Sequence, residues 1–405
     1  MDTAQWYMWK RELQHSVDQA AIAGAWALAY DPTTDTYTTR AQQEYTANLN
    51  VVADFAVETP DVALANYQGG TDNSVRVSAT LTRALPFSSL FLNQPVTIVA
   101  RAQAAFAEGT IHHACLKTLK KDGTTFTIGN GATVIANCGM MALSCDPNEP
   151  SVTVGDNATI DVNEITVCRE AEVPSSLENK VTVDPGLANY DYEVPVPDPS
   201  SDDTDESYAC TGKGKNKAAS LQPGVYNDGI VVKCDTTFAP GIYFVKGELD
   251  LTHNAFVVGH KVMFVLMEGA QLKLGGSGTN DNTGTGGNKI KSSLYLDPPT
   301  ASDLIDMGYS EDFANTYENY LILAKKTEEP VDHKINGNVS MHLQGKMYLP
   351  KGNVKITGNS EAADGLCFQI ASYTIDVNGS AYLKTLCDQD ETTSLSTTAG
   401  VRLVA

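Results

Sequence analysis

Short β-branched runs that end in Asn-Gly or Gly-Asn recur along this sequence at nearly constant spacing. Late in the chain, KINGNVSM, KITGNSEA and DVNGSAYL place their glycines at 337, 358 and 379, two steps of 21 residues. Earlier, TIGNGATVIA (127–136) is repeated as TVGDNATIDV (153–162) with an offset of 26. Fixed periods of this size are typical of solenoids, and Gly and Asn supply the left-handed backbone of tight corners. The sequence therefore predicts a mainly β protein built as a parallel β-helix, with a β-sandwich as the competing interpretation.

The N-terminal segment MDTAQWYMWKRELQHSVDQAAIAGAWALAY has the spacing of one long amphipathic helix. Over residues 2–29, apolar and small residues recur every three or four positions, which places them on one stripe. The second half of this helix is rich in alanine, whose small side chain allows another element to approach the helix backbone closely. One interpretation is a core helix of a globular domain. The other is the exposed half of a longer helix whose missing first half was apolar. The candidate assembly interface toward a partner helix is formed by Trp6, Trp9, Leu13, Val17, Ala20, Ala21 and Gly24.

Two alternating runs follow this helix. After a second helical stretch at 41–56, the segments SVRVSATL (74–81) and VTIVARAQ (96–103) alternate apolar and polar residues. Period-two alternation is typical of half-buried antiparallel strands. Residues 1–110 are therefore predicted to form a small α+β module, with the long helix and an antiparallel sheet.

Composition divides the remaining sequence into four segments. Residues 111–170 are predicted to form the first β-helix rungs, and 221–390 the main β-helix with a helical insertion near 298–320. Between them, 171–220 contains EVPVPDPSSDDTDES, whose acidic and proline-rich composition is typical of a linker. Residues 391–405 are expected to be a C-terminal tail.

Charge and cysteine usage restrict the compartment and the partners. The chain has 28 basic and 49 acidic residues, a net charge of −21, which argues against a nucleic-acid partner. Its eight cysteines are even in number and none forms a CxxC motif, so disulfides in an oxidising compartment are favoured over zinc. The chain contains no run of 18 apolar residues.

The spacing of the cysteines suggests how they pair. Cysteines that neighbour one another in sequence are separated by 23, 23, 24 and 20 residues. A separation near one repeat returns the chain to the same corner, where two cysteines on adjacent rungs can reach each other. Although eight cysteines allow many pairings, this spacing favours Cys115–Cys138, Cys145–Cys168, Cys210–Cys234 and Cys367–Cys387.

Catalytic patterns are weak in this sequence. Polysaccharide-active β-helix enzymes need convergent carboxylates, or carboxylates with a basic residue, on one face. The candidates are Asp228, Asp235, Asp250, Lys233 and Lys246, but no spacing ties them into a site. We therefore expect a chain that is not an enzyme.

Metal-binding patterns are equally weak, and no cofactor is predicted. The adjacent His112 and His113 would point in opposite directions on a strand, and His253 with His260 is the other candidate pair. The stretch GTNDNTGTGGN (278–288) offers oxygen ligands for a weak Ca²⁺ site, although a solvated loop is the simpler interpretation. Glycosylation sequons that fall at repeat corners, where Asn also suits the backbone, are Asn157, Asn338 and Asn378.

Three motifs occur in order along the chain. The first is DQAAIAGA in the N-terminal helix, carried by Asp18, Ala20, Ala21, Ala23, Gly24 and Ala25. The second is the pair of alternating runs around the apolar connector LPFSSLFL, and the third is the doubled PGxY of LQPGVYNDGI and FAPGIYFVKGELDL. In this order they resemble the TadG-like proteins of the Tad (Flp) pilus-assembly family. Two family features are missing here: the D-x-S-x-S motif of a von Willebrand A-type domain and the transmembrane segment.

This resemblance implies a bacterial envelope protein with a pilin-like N-terminal module and a right-handed parallel β-helix. It also implies that the native protein continued upstream as a membrane helix. The implied role is that of a structural, non-enzymatic subunit or assembly component of a cell-surface pilus or filament, acting in adhesion or assembly. Its partners would be further copies or other pilus components, and its location extracellular. The alternative is an extracellular carbohydrate-binding or polysaccharide-active β-helix protein, which an aromatic-lined groove with clustered acids would favour.

Overall fold

The computed structural model shows a mainly β chain with large parallel sheets and one long N-terminal helix, which confirms these parts of the prediction. The chain divides into two compact units, Met1–Thr110 with Ser396–Ala405, and Ile111–Leu395. The residues that the structure describes are 2–30, 35–67, 71–85, 87, 95–107, 111–214, 216–253, 255–275, 282–283, 289–290, 293–337, 340–358, 367–388, 394–396 and 400–404.

The first unit combines two helices with an antiparallel sheet. Its elements from the N-terminal part of the chain are α1 (Asp2–Tyr30), α2 (Thr36–Ala47), β1 (Asp61–Ala65), β2 (Ser74–Arg83) and β3 (Val96–Ala107). β2 lies between β1 and β3 and pairs antiparallel with both. The other edge of β3 pairs antiparallel with Gly400–Leu403. Part of the segment expected to be a tail is thus a strand of the first sheet.

The core of the first unit lies between one face of this sheet and the two helices. Val75 and Val77 of β2 are fully buried, as the period-two alternation predicts. Leu13 and Val17 of α1, together with Tyr45 of α2, belong to the same apolar cluster. The helices therefore cover the apolar face of the sheet, while the alternating polar residues of β2 face away from it.

The second unit is built mainly from short strands. Up to residue 206 these are β4 (Ile111–His113), β5 (Leu116–Thr118), β6 (Phe126–Ile128), β7 (Thr133–Ala136), β8 (Met140–Ala142), β9 (Val152–Val154), β10 (Thr159–Val162), β11 (Ile165–Val167), β12 (Ala171–Glu172), β13 (Val181–Val183) and β14 (Asp205–Glu206). Two 3₁₀ turns, Glu178–Lys180 and Pro185–Asn189, lie near β13.

The later part of the second unit continues this arrangement. Its strands as far as the helices are β15 (Ala218–Leu221), β16 (Gly224–Tyr226), β17 (Ile230–Val231), β18 (Asp235–Phe238), β19 (Gly241–Val245), β20 (Glu248–Leu251), β21 (Phe256–Gly259), β22 (Val262–Leu266), β23 (Gln271–Gly275), β24 (Asn282–Thr283), β25 (Lys289–Ile290) and β26 (Ser293–Leu296). The helices α3 (Ala301–Asp306) and α4 (Glu311–Tyr317) lie within the segment where a helical insertion is expected. The remaining strands of this unit are β27 (Tyr320–Ala324), β28 (Val331–Gly337), β29 (Ser340–Leu343), β30 (Gly345–Gly358), β31 (Phe368–Asn378), β32 (Tyr382–Thr385) and β33 (Ser394–Ser396), and the last strand of the chain, β34 (Gly400–Leu403), belongs to the first unit.

Parallel pairing arranges the strands of the second unit along three tracks. The first track has the order β14-β16-β19-β22-β27-β30-β31-β5-β8-β11-β13. The second has the order β17-β20-β23-β28-β30-β31-β6-β9-β12. The third is described in two parts, β15-β18-β21-β26-β29 and β32-β7-β10. Partners such as His333 and Val354, or Lys355 and Asp376, are 21 residues apart, which is the repeat read from the glycines.

The chain begins the first track at its middle. β5 pairs with β8 on one side and with β31 on the other, although β31 is almost the last strand of the unit. From β5 the chain proceeds to β13 at one end of the track. It then resumes at β14, at the opposite end, and returns strand by strand to β31. The early repeats therefore continue the late ones, where the sequence suggests that they precede them.

Residues 184–204 join the two ends of the track. Ten strand steps separate β13 from β14, which corresponds to about 48 Å at the usual strand spacing. The 21 residues of this segment can span about 70 Å when extended, and its prolines favour extended backbone. The preceding residues are not a linker, because Val181–Val183 pairs parallel with Ile165–Val167 as a further strand of the track.

Candidate functional site

The central part of this connection, residues 190–198, lies across the outer face of the first track and is called the strap below. Its sequence YDYEVPVPD alternates apolar and acidic residues over its first half. Tyr192, Val194 and Val196 are half-buried and pack on an apolar cluster that includes Phe244 and Leu323 of the track. Because successive side chains of an extended segment point in opposite directions, the intervening acidic residues face outward.

Acidic side chains of the strap form ion pairs with lysines of the surrounding surface. The pairs are Lys121–Asp191 (Nζ to Oδ1, 3.5 Å), Lys326–Glu193 (Nζ to Oε1, 2.8 Å) and Lys325–Asp198. The carboxylates are largely exposed, and exposed pairs of this kind contribute at most about 1 kcal/mol each. The ion pairs therefore help to position the strap, whereas burial of its apolar side chains contributes more of the free energy that attaches it.

Two lysines and two tyrosines lie beneath the strap. Lys117 in β5 is 2% exposed, and its Nζ is 5.5 Å from the centroid of the Tyr192 ring. Burial, with nearby Lys346, lowers the pKa of Lys117 to about 7. Burial also lowers the pKa of Lys346, whose Nζ is 5.3 Å from the centroid of the Tyr320 ring. The pKa values of Tyr320 and Tyr348 are raised by burial, so both hydroxyls stay protonated at neutral pH.

A groove of about 460 Å³ opens beside the strap. The rings of Tyr192, Tyr348 and Tyr373 line it, and the first two have centroids 5.7 Å apart. Lys351 also lines the groove, with its Nζ 4.8 Å from the centroid of Tyr373. The other charged residues of the lining are Lys121, Asp122, Asp191, Glu193 and Lys326.

The charges of this groove are suited to binding more than to catalysis. Asp191 and Glu193 are already paired with lysines, and Asp122 Oδ1 lies 3.4 Å from Lys120 Nζ. A general acid or base needs a carboxyl that can reach the reacting atoms, and these carboxyls are held by cations. Among the described residues, Lys351 forms no ion pair within 4.0 Å, so its ammonium group is available to a ligand.

All eight cysteines are disulfide-bonded, in the pairs that their spacing predicts. The Cα–Cα distances are 5.5 Å for Cys115–Cys138, 5.1 Å for Cys145–Cys168, 6.3 Å for Cys210–Cys234 and 4.4 Å for Cys367–Cys387. Each bridge joins two cysteines that are about one repeat apart in sequence. Four disulfides indicate an oxidising environment, extracellular or periplasmic.

Two of these bridges lie next to each other where β31 meets β5. The Sγ atoms of Cys115, Cys138 and Cys387 are within 4.8 Å of one another. All three take part in disulfides, so they lack the thiolate that would bind a metal ion. The two disulfides therefore lie side by side at the junction between the early and the late repeats, and neither of them crosses it.

The helix stripe interpreted as an assembly surface is part of the core of the first unit, which corrects that interpretation. The buried members are Trp9, Leu13, Val17, Ala20, Ala21 and Gly24, and Trp6 packs half-buried against the same cluster. A Cβ added at Gly24 would lie 2.9 Å from Val75 Cγ1 and 3.3 Å from Ala41 Cβ. The face of α1 that carries these small residues thus packs against β2 and α2 of its own chain, and it is not free for a partner helix.

The residues considered for catalysis do not form a common site. Asp235 and Asp250 accept hydrogen bonds from nearby backbone N–H groups. Lys246 donates to an asparagine side chain, and Asp228 and Lys233 are exposed. Each side chain has a local structural role or faces solvent.

The candidate metal ligands are also dispersed. His112 is buried, with its Nε2 2.9 Å from Asp184 Oδ2, and His260 contacts the carboxylate of Asp297. Within the described ranges, neither His113 nor His253 belongs to a cluster of three metal ligands. Of the expected Ca²⁺ loop 278–288, all but 282–283 lies outside the described residues, as does Asn338. The other sequons are Asn157, which is exposed, and Asn378, which is half-buried.

Comparison with known proteins leaves the chain without an assigned relative. No protein-family model, curated protein or solved structure matches it. Among the described residues, no helix is both long enough and apolar enough to cross a membrane.

Proposed function

We propose that this chain is a structural, non-enzymatic component of a bacterial cell-surface pilus or filament of the TadG-like kind. We further propose that its second unit is a right-handed parallel β-helix. The parallel tracks with a 21-residue offset support the β-helix. Right-handed winding follows from the strong preference of parallel crossover connections for that hand. The order of the N-terminal motif, the paired strands and the PGxY repeats supports the family assignment.

The observation that carries the structural role is the position of the two ends of the first track. Among the described residues, β13 pairs only with β11, and β14 pairs only with β16. The chain enters the first track at β5 and leaves it at β31, and both are inner strands of the track. Open strand edges pair readily with other chains, and Val183 on β13 is 52% exposed. Copies can therefore add end to end.

The disulfides and the acidic composition fit a location outside the cell. Bridges that span one repeat hold neighbouring turns together when the protein leaves the cytosol. A net charge of −21 keeps such a protein well solvated. Self-association or contact with other pilus components is the proposed partnership.

Electron microscopy of filaments sheared from the native cell surface, with the subunits identified by mass spectrometry, tests this function. We expect this chain within the filaments, and we expect Val183→Lys to shorten or abolish them, because a charge on an edge strand opposes pairing. Val99→Lys is the matched control, since Val99 is 47% exposed on the sheet of the first unit. Absence of the chain from surface filaments would overturn the proposal.

A carbohydrate-binding role is the second candidate, and the groove beside the strap favours it. The groove combines tyrosine rings, on which sugar rings can pack, with acids and lysines that can hydrogen-bond to hydroxyl groups. A binding screen of the purified chain against immobilised polysaccharides tests this role. Release of shorter sugars during the incubation would indicate an enzyme instead.

A further inference from the structure

Lysines are concentrated around the groove beside the strap. The chain carries a net charge of −21 and only 28 basic residues. Seven lysines nevertheless lie on or beneath this one face of the second unit: Lys117, Lys120, Lys121, Lys325, Lys326, Lys346 and Lys351. Most of this positive charge is balanced, because Asp122, Asp191 and Glu193 of the groove lining pair with Lys120, Lys121 and Lys326.

The ion pairs of the strap show that some of these lysines already bind carboxylates. Its carboxylates pair with Lys121 and Lys326 on the rim of the groove, and Lys120 pairs with Asp122. Lys351 differs from them, because it has no carboxylate partner within the described residues and its ammonium lies over the ring of Tyr373. Among the described residues, the ammonium group of Lys351 is therefore left at the groove without a carboxylate partner.

The walls of the groove favour a sugar over a peptide. Tyr192 and Tyr373 are half-buried, so each presents part of its ring to the groove. The negative ring face attracts the C–H groups of a saccharide. A peptide could not bind here by strand addition, because β30 and β31 use their backbone hydrogen bonds to pair with each other and with strands on either side.

We propose that this groove binds a carboxylate-bearing saccharide, with a sugar ring against the tyrosine wall and the carboxylate paired with Lys351. The inference rests on the carbohydrate-binding candidate and specifies its ligand. A charge-assisted hydrogen bond from an ammonium group to a carboxylate is stronger than a neutral one. The acidic sugar should therefore bind more tightly than a neutral sugar of the same length.

The test is calorimetric titration of the whole chain with trigalacturonate, with cellotriose as the neutral probe and the free peptide YDYEVPVPD as the peptide probe. We expect trigalacturonate to bind at least about tenfold more tightly than cellotriose. Lys351→Met should weaken trigalacturonate binding about tenfold and leave cellotriose binding unchanged. Lys355→Met is the matched control, because Lys355 is an exposed lysine of the same strand, outside the groove.

Each contrary outcome has a distinct meaning. Equal affinity for the two sugars, or full affinity in Lys351→Met, would overturn the acidic ligand and leave a carbohydrate-binding role standing. Binding of the peptide alone would replace the saccharide by an acidic polypeptide. Binding of none of the three probes would overturn this inference, while the filament role would still be decided by microscopy.

Discussion

The ammonium group of Lys117 lies 5.5 Å from the centroid of the Tyr192 ring, although 75 residues separate the two in sequence. The contact fixes the strap above β5, close to the point where the early and late repeats meet. It also explains how a lysine can be 2% exposed inside a mainly apolar surface. The ring face offers a partner for the cation.

Burial of Lys117 predicts a pH-dependent stability. Its pKa falls from the ordinary 10.5 to about 7 on folding. Between these values the unfolded lysine holds a proton that the folded one has lost, so stability rises with pH through this window and is lowest below pH 7. We expect Lys117→Met to be more stable than the parent chain by about 1–3 kcal/mol below pH 7. The advantage should shrink toward pH 10. Denaturant unfolding at several pH values measures it, and a pH-independent difference would contradict the prediction.

Loss of the Tyr192 ring should release the strap. The side chain packs against Tyr348 and over Lys117, so Tyr192→Ala removes apolar contact worth about 1–3 kcal/mol. The surface ion pairs are too weak to hold the segment alone. Limited digestion with a protease that cuts after acidic residues should cleave the variant faster at Asp191 and Glu193. Val183→Ala, at an exposed valine before the strap, is the control, and equal digestion of all three proteins would refute the idea.

Gly24 tests the core of the first unit. Because its missing Cβ would lie 2.9 Å from Val75 Cγ1, Gly24→Leu should destabilise this unit by about 2 kcal/mol or more. The three tryptophans of the chain, Trp6, Trp9 and Trp26, all lie in α1, so their fluorescence follows this unit alone. The midpoint of the fluorescence transition should fall in Gly24→Leu and stay near the parent value in Ala23→Leu, at a half-exposed position. Equal midpoints in both variants would count against the buried face.

The Cys145–Cys168 bridge should stabilise the second unit. A loop of this length contributes roughly 3 kcal/mol in the chain-entropy model, so the double variant Cys145→Ser, Cys168→Ser should unfold at lower denaturant by far-ultraviolet circular dichroism. Tryptophan fluorescence supplies an internal control, since the tryptophans belong to the other unit. A circular dichroism transition that does not move would show that this bridge is dispensable.

Local patterns were sufficient for parts of this architecture. Alternation in residues 74–81 identified β2, and the glycine spacing at 337, 358 and 379 gave the 21-residue offset of the paired strands. The cysteine spacing gave the disulfide pairs for the same reason, because the bonded cysteines are about one repeat apart. These features depend on neighbours one repeat away, which a sequence records directly.

The order of the repeats and the groove could not be found in this way. Pairing of β5 with β31 depends on residues about 250 positions apart, and no local spacing encodes it. Tyr192 reaches Lys351 and Tyr373 because the strap crosses the track. The one available signal was the alternation of YDYEV, which is typical of an extended segment with one buried face. Its acidic and proline-rich composition pointed instead to a solvated linker.

The pairing of β34 with β3 affects how the protein is made. A chain is synthesised from its N-terminus, and domains usually fold in that order. Here β3 keeps an unpaired edge until Gly400–Leu403 have been translated, nearly 300 residues later. Throughout that interval the nascent first unit has an unpaired strand edge, which can form a non-native pair with another strand. Although β3 is translated before the second unit, its sheet is completed only after that unit has been made.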